Sequence, residues 1–165
     1  MNALSTVPDS KADMYRGLAR QLSALFEGER DALANAANMC ALLYETLTAV
    51  NWAGFYFLRG SQLVLGPFQG KVACVRIPLG KGVCGTAALR RETLIVADVH
   101  EFPGHIACDL ASRSEIVVPL LQDGKLKGVL DIDSPQLGRF DEDDARGLDA
   151  AAAVLLQASD FSILL

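Results

Sequence analysis

Apolar positions change period several times along this chain, and the changes divide it into elements. Over residues 11–26, Met14, Leu18, Leu22 and Leu25 recur three or four apart, the spacing of one helix face, and Gly28 supplies a stop. Asp31 then precedes a run rich in Ala and Leu, residues 33–44, which predicts a second helix ending before Trp52. The period shortens at Trp52-Ala-Gly-Phe-Tyr-Phe-Leu58, an aromatic strand that Arg59-Gly60-Ser61 turns into a second strand over 62–65. The breakers Gly66-Pro-Phe-Gln-Gly-Lys71 predict a loop, and residues 72–77 a further strand closed by Pro78 and Gly80. Gly82-Val-Cys-Gly-Thr-Ala-Ala-Leu89 reads as a glycine-rich entry into a short helix, with a strand over 93–96 behind it.

From 97 to 113 the periodicity fails, which predicts an irregular loop with a helical turn. Strand character returns at 115–121 and 126–133, joined through Asp123-Gly124, a strong hairpin signal. Asp141 then caps a C-terminal helix over about 141–160, and Glu142, Asp143 and Asp144 complement its positive end. The pattern predicts one α+β domain over residues 1–165: a mostly antiparallel sheet of about six strands, with N- and C-terminal helices packed on one face. The N-terminal helices fall at about 11–49, the sheet and its loops at about 50–135.

Strand geometry sharpens the picture at the acidic residues. Asp131 and Asp133 are two apart, so both point to one face and Ile132 to the other. Counting from the Asp123-Gly124 turn, Leu121 pairs near Leu126, which brings Glu115 opposite about Ile132 and beside both aspartates. Crowded like charges call for a cation. Trp52 and Tyr56, four apart on a strand, share a face.

Composition narrows the function classes. A hydrophobic fraction of 51% suffices for a core, while 15 Lys and Arg against 20 Asp and Glu, without clustering, argue against nucleic acid and anionic membranes as partners. No basic and apolar leader is visible at the N-terminus, and the apolar run 150–156 falls short of the ~20 residues a membrane span needs, so a cytoplasmic setting is expected. In that setting Cys40, Cys74, Cys84 and Cys108 are expected as thiols. None forms a Cys-x-x-Cys pair, and neither His100 nor His105 has zinc-site spacing, so no metal is expected; both histidines read as decoration of a surface loop, with tuning of the thiol as the alternative. Cys40, among Ala and Leu, reads as core packing.

At Gly82-Val-Cys-Gly-Thr-Ala87, His105-Ile-Ala-Cys-Asp109, Ser112-Arg-Ser-Glu-Ile-Val-Val-Pro119 and Gly128-Val-Leu-Asp-Ile-Asp-Ser134 the sequence resembles GAF domains, and more specifically the free methionine-R-sulfoxide reductases. The resemblance implies that Cys108 attacks the sulfoxide sulfur of free methionine-(R)-sulfoxide, becomes a sulfenic acid, and closes a disulfide with a second cysteine. Thioredoxin or a similar dithiol then reduces that disulfide, with no resident cofactor. For the second cysteine Cys74 is preferred, since the Gly-Pro-Phe-Gln-Gly segment before it can act as a lid; Cys84, at a helix start, stays as auxiliary or alternative. The resemblance assigns Glu115, Asp131 and Asp133 to substrate binding, with Trp52 and Tyr56 able to wall the pocket, and implies a homodimer. The competing reading is a GAF sensory module that binds a small ligand without catalysis.

Overall fold

The computed structural model describes residues 8–106 and 109–164. Ser10 caps helix α1 (Lys11–Leu25) by accepting from the Asp13 N–H, and Asp31 caps α2 (Ala32–Thr46) by accepting from Ala34. Between them Gly28 takes the positive φ that ends the first helix. Six strands follow: β1 (Trp52–Arg59), β2 (Gln62–Gly70), β3 (Arg76–Pro78), β4 (Leu94–Val96), β5 (Ser114–Gln122) and β6 (Lys125–Ser134). A helix, α3 (Gly82–Arg90), carries the chain from β3 to β4, and α4 (Glu142–Ala158) closes the fold. The strands lie in the order β3-β2-β1-β6-β5-β4, each antiparallel to its neighbours.

Alternation along the central strands builds two cores. Ala53, Phe55 and Phe57 of β1, Ile116 and Val118 of β5, and Leu130 and Ile132 of β6 meet Leu18, Leu22, Met39, Leu43 and Leu148 from α1, α2 and α4. The intervening positions, Trp52, Tyr56, Val117 and Val129, face α3 on the other side. Helices α1 and α4 therefore share a face, as expected, and the opposite face holds the recess described below. Their contact is tight: Gly147 leaves room for the Tyr15 ring, where a Cβ would come within 2.1 Å, and Tyr15 donates to the buried Asp144 carboxylate at 2.7 Å.

Three expectations need correction. Residues 66–70 are not a loop but the second half of β2, paired with β1 from Gly54↔Phe68 to Trp52↔Gly70. Their breakers mark a β-bulge instead: Phe55 faces both Gly66 and Pro67, so the proline needs no ladder bond there, and a Cβ on Gly66 would lie 2.7 Å from the Phe57 ring. The expected strand 72–77 shrinks to Arg76–Pro78, which leaves residues 71–75 as the irregular segment. Finally, Glu115 pairs with Asp133 rather than Ile132, because a register shift between Leu120 and Leu121 moves the β5–β6 ladder by one residue.

Candidate active site

On the face away from α1 and α4, strands β1, β5 and β6 floor a recess; the N-terminal end of α3 together with His105, Ile106, Asp109 and Ser112 wall it, and 71–74 cover it. Its empty space, counted together with the part open to solvent, is about 540 Å³. The positions that read as one strand face do converge here: Trp52, Tyr56, Glu115, Asp131 and Asp133 all line it, together with Cys84.

The aromatic wall depends on a missing side chain. A Cβ on Gly54 would sit 2.6 Å from the Trp52 ring and 2.4 Å from Phe68, so glycine lets the indole lie across the sheet. Trp52 stacks there between Phe68 (ring centroids 5.3 Å apart) and Tyr56 (5.9 Å). Both aromatics also use their polar ends: Trp52 Nε1 donates to the Lys71 carbonyl at 3.0 Å, and Tyr56 Oη to the Cys74 carbonyl at 2.9 Å. The covering segment is thus fastened at both ends by the strand beneath it. Cys74 within it is disulfide-bonded, whereas Cys40 and Cys84 are free thiols. Cys108 lies outside the described residues.

At the opposite wall the chain enters α3 through Gly82, at φ +60°, and Gly85 packs against backbone: a Cβ there would meet the Pro78 carbonyl at 2.4 Å. This seats Cys84 at the floor, where its Sγ lies 3.7 Å from Glu115 Oε1. Burial, reinforced by the carboxylates of Asp131 and Glu115, holds the Cys84 thiol well above its ordinary range. Cys84 is therefore protonated and a poor nucleophile. Burial likewise pushes Cys40 to about 12, and its Sγ donates to the Pro67 carbonyl at 3.1 Å, in keeping with a packing role.

The three acids dominate the electrostatics. Glu115 and Asp131 are each 6% exposed, Asp133 is half-buried, and among the described residues none of them makes an ion pair. Burial first, then mutual repulsion, raises Glu115 and Asp133 well above the usual carboxylate range, and burial lifts Asp131 to about 6 against the hydrogen bonds it shares with Glu115 and Cys84. The cluster keeps protons near neutrality, and they belong to the group rather than to one residue. Among the described residues, one Asp131 oxygen, Oδ1, has no hydrogen-bond partner.

Four further residues, which sequence reasoning did not assign to the recess, belong to it. Asn51 Nδ2 reaches Asp109 Oδ2 at 3.5 Å and Ser112 Oγ at 3.3 Å, and Ser112 Oγ donates to Asp133 Oδ2 at 3.3 Å. This chain of bonds ties Asp109 and Ser112 to the acidic floor. His105 lines the recess, its Nδ1 has no hydrogen-bond partner among the described residues, and burial and the neighbouring His100 lower its pKa. The surface reading holds for His100, which is exposed, but not for His105. No spacing signals these residues, because tertiary structure assembles them; only the closeness of His105 and Asp109 to Cys108 hints at two of them.

A GAF domain model matches residues 34–158. The free methionine-R-sulfoxide reductase of Escherichia coli is 56% identical over 146 residues, 88% of each chain. Among solved structures, the free methionine-R-sulfoxide reductase of Neisseria meningitidis, in complex with its substrate, is similar with a TM-score of 0.90 at 45% identity, covering 99% of both chains. A protein named as a GAF sensor from Burkholderia vietnamiensis gives a TM-score of 0.88 at 60% identity, covering 91% of this chain and 96% of its own.

Proposed function

The chain belongs to the GAF-domain family and, within it, to the free methionine-R-sulfoxide reductases, and on that premise we propose that it reduces free L-methionine-(R)-sulfoxide to methionine by thiol chemistry. The observation that carries the assignment of roles is the acidic floor without a cation, lying beneath a segment that holds a disulfide-bonded cysteine.

The substrate brings an ammonium, a polar S–O group and an apolar methyl. The ammonium supplies the positive charge that Glu115, Asp131 and Asp133 lack, and the methyl packs against the Trp52–Tyr56 wall. The cluster does two jobs. Two of its members ionise to hold the ammonium, while a third keeps its proton, as the raised pKa values favour, and gives it to the sulfoxide oxygen. Cys108 attacks the sulfoxide sulfur as its S–O bond breaks; methionine leaves, and the oxygen stays on the enzyme as a Cys108 sulfenic acid. Cys74 then displaces that oxygen as water, forming the Cys74–Cys108 disulfide, and an external dithiol of the thioredoxin type restores both thiols by exchange. Each turnover consumes one dithiol and releases methionine and water.

Cys74 is favoured as the resolving thiol because it is disulfide-bonded in a segment at the recess mouth, whereas Cys84 is a buried, protonated thiol against Glu115. A purely sensory role leaves both the disulfide and the cation-free acids without a purpose. Cytoplasmic location, a homodimer, and recycling by thioredoxin rather than by a bound cofactor complete the reading. No helix among the described residues is long and apolar enough to cross a membrane.

Single-turnover kinetics test the roles. Reduced Cys74→Ser protein should release about one methionine per site and then stall with thioredoxin, whereas Cys108→Ser should release none. Normal recycling by Cys74→Ser, with the stall appearing in Cys84→Ser, reassigns the resolving thiol. Methionine from folded Cys108→Ser removes the nucleophile.

A further inference from the structure

The mechanism above leaves Cys84 without work, yet its thiol, packed in the apolar cluster under α3, also reaches the acids. Its Sγ and one carboxylate oxygen each from Glu115 and Asp131 all lie within 4.8 Å of one another, on three buried side chains. A second observation points into the same place: Asp131 is more than nine-tenths buried, lines the recess, and its Oδ1 has no donor among the described residues. An ammonium is satisfied by carboxylates alone. A thiol beside them adds what a thiophilic cation selects.

We infer that Cys84, Glu115 and Asp131 form a binding site for a thiophilic divalent cation, Zn²⁺ foremost, overlapping the place of the substrate ammonium so that metal and sulfoxide exclude each other. The overlap rests on the function proposed above; the metal site does not. One sulfur and two oxygens leave a fourth position open toward the recess, the coordination of a zinc ion that keeps a water. With one sulfur and two oxygens, tetrahedral zinc bonds place ligand atoms about 3.3–3.7 Å apart, so the side chains close by roughly 1.5 Å at most on loading. A thiolate and two carboxylates carry three negative charges against two positive, and the metal supplies the charge that no Lys or Arg ion pair brings to these acids among the described residues. No motif announces the site, because its ligands come from α3, β5 and β6. The consequence is inhibition: free zinc occupies the acidic floor and shuts the substrate out.

The probe is Co²⁺, whose bond to a thiolate gives a charge-transfer absorption that carboxylates do not, followed by displacement with Zn²⁺. In a Cys74→Ser/Cys108→Ser double variant the remaining thiols are Cys40 and Cys84. The expected result is one Co²⁺ per chain with that absorption. Adding Cys40→Ser should preserve it, adding Cys84→Ser should abolish it, and adding Asp131→Asn should weaken binding at least about tenfold. Circular dichroism verifies folding. Should Cys84→Ser unfold, Cys84→Ala in the same background decides the matter, and a thiolate absorption that survives it overturns the site. No thiolate absorption in the double variant, or one that survives Cys84→Ser, overturns it as well. Free methionine-(R)-sulfoxide should raise the apparent Kd for Zn²⁺; metal binding indifferent to the sulfoxide leaves the metal site standing and overturns the ammonium placement.

Discussion

Removing the substrate's positive charge is the sharpest perturbation of the acidic floor. N-acetylation turns the ammonium into a neutral amide and leaves the sulfoxide and methyl in place. Glu115 and Asp131, each 6% exposed, then face the recess with no cation. Leaving a buried charge without its partner costs about 3–5 kcal/mol. The floor recovers part of this by keeping protons, since burial already holds Glu115 and Asp133 above the usual carboxylate range. A net loss of about 3 kcal/mol remains, and at ~1.4 kcal/mol per decade it corresponds to roughly a hundredfold in kcat/KM. The assay compares kcat/KM for free and N-acetylated methionine-(R)-sulfoxide, in wild type and in Asp131→Asn. Wild type should prefer the free amino acid by about a hundredfold. Asp131→Asn should lose efficiency on the free substrate and change little on the acetylated one, so the preference shrinks about tenfold. Equal preference in both proteins, or wild-type efficiency on the acetylated substrate, refutes the reasoning.

Other perturbations test the scaffold. Gly54→Ala forces a Cβ against Phe68 and the Trp52 ring and should cost ~1–3 kcal/mol in thermal or urea unfolding and raise KM; an unchanged midpoint and KM contradict the role given to Gly54. Cys40, pushed up to about 12, is ionised to about one part in ten thousand near pH 8, so iodoacetamide should modify it in urea but not in the folded protein, as peptide mass mapping would show. Asp141 is held down to about 2, first by the Lys11 ammonium and then by the Asp144 N–H, so its stabilising effect is present above the ordinary carboxylate range and fades as pH falls toward 2. In Asp141→Asn that part of the acid-unfolding curve should flatten, and an unaltered curve contradicts the linkage.

Much of the fold is written in local pattern. Asp123-Gly124 forms the expected hairpin turn because both residues take positive φ, +52° and +74°, which Asp and Gly tolerate. The period of two places Asp131 and Asp133 on one face and Ile132 in the helix-covered core. Local pattern fails where two structures use the same residues. Gly66-Pro67 reads as a loop because a bulge needs the same breakers, and only the partner strand, with Phe55 opposite both, tells them apart. The register shift between Leu120 and Leu121 carries no signal of its own, yet it sets Glu115 against Asp133 rather than Ile132. For the site, the strand-borne residues were legible, since alternation fixes their direction. Asn51, Asp109 and Ser112 were not, because their bonds join loops that only tertiary packing brings together.

The most direct measurement of the central claim is diastereomer-resolved turnover. The purified, reduced protein is given an equimolar mixture of free methionine-(R)- and (S)-sulfoxide with thioredoxin, thioredoxin reductase and NADPH, and methionine and both remaining sulfoxides are quantified by chiral chromatography. The account predicts that the R form is consumed to completion, with one NADPH oxidised per methionine formed, while the S form persists. Loss of both forms at equal rates, or a lack of methionine from protein whose thiols are shown to be reduced, would contradict it.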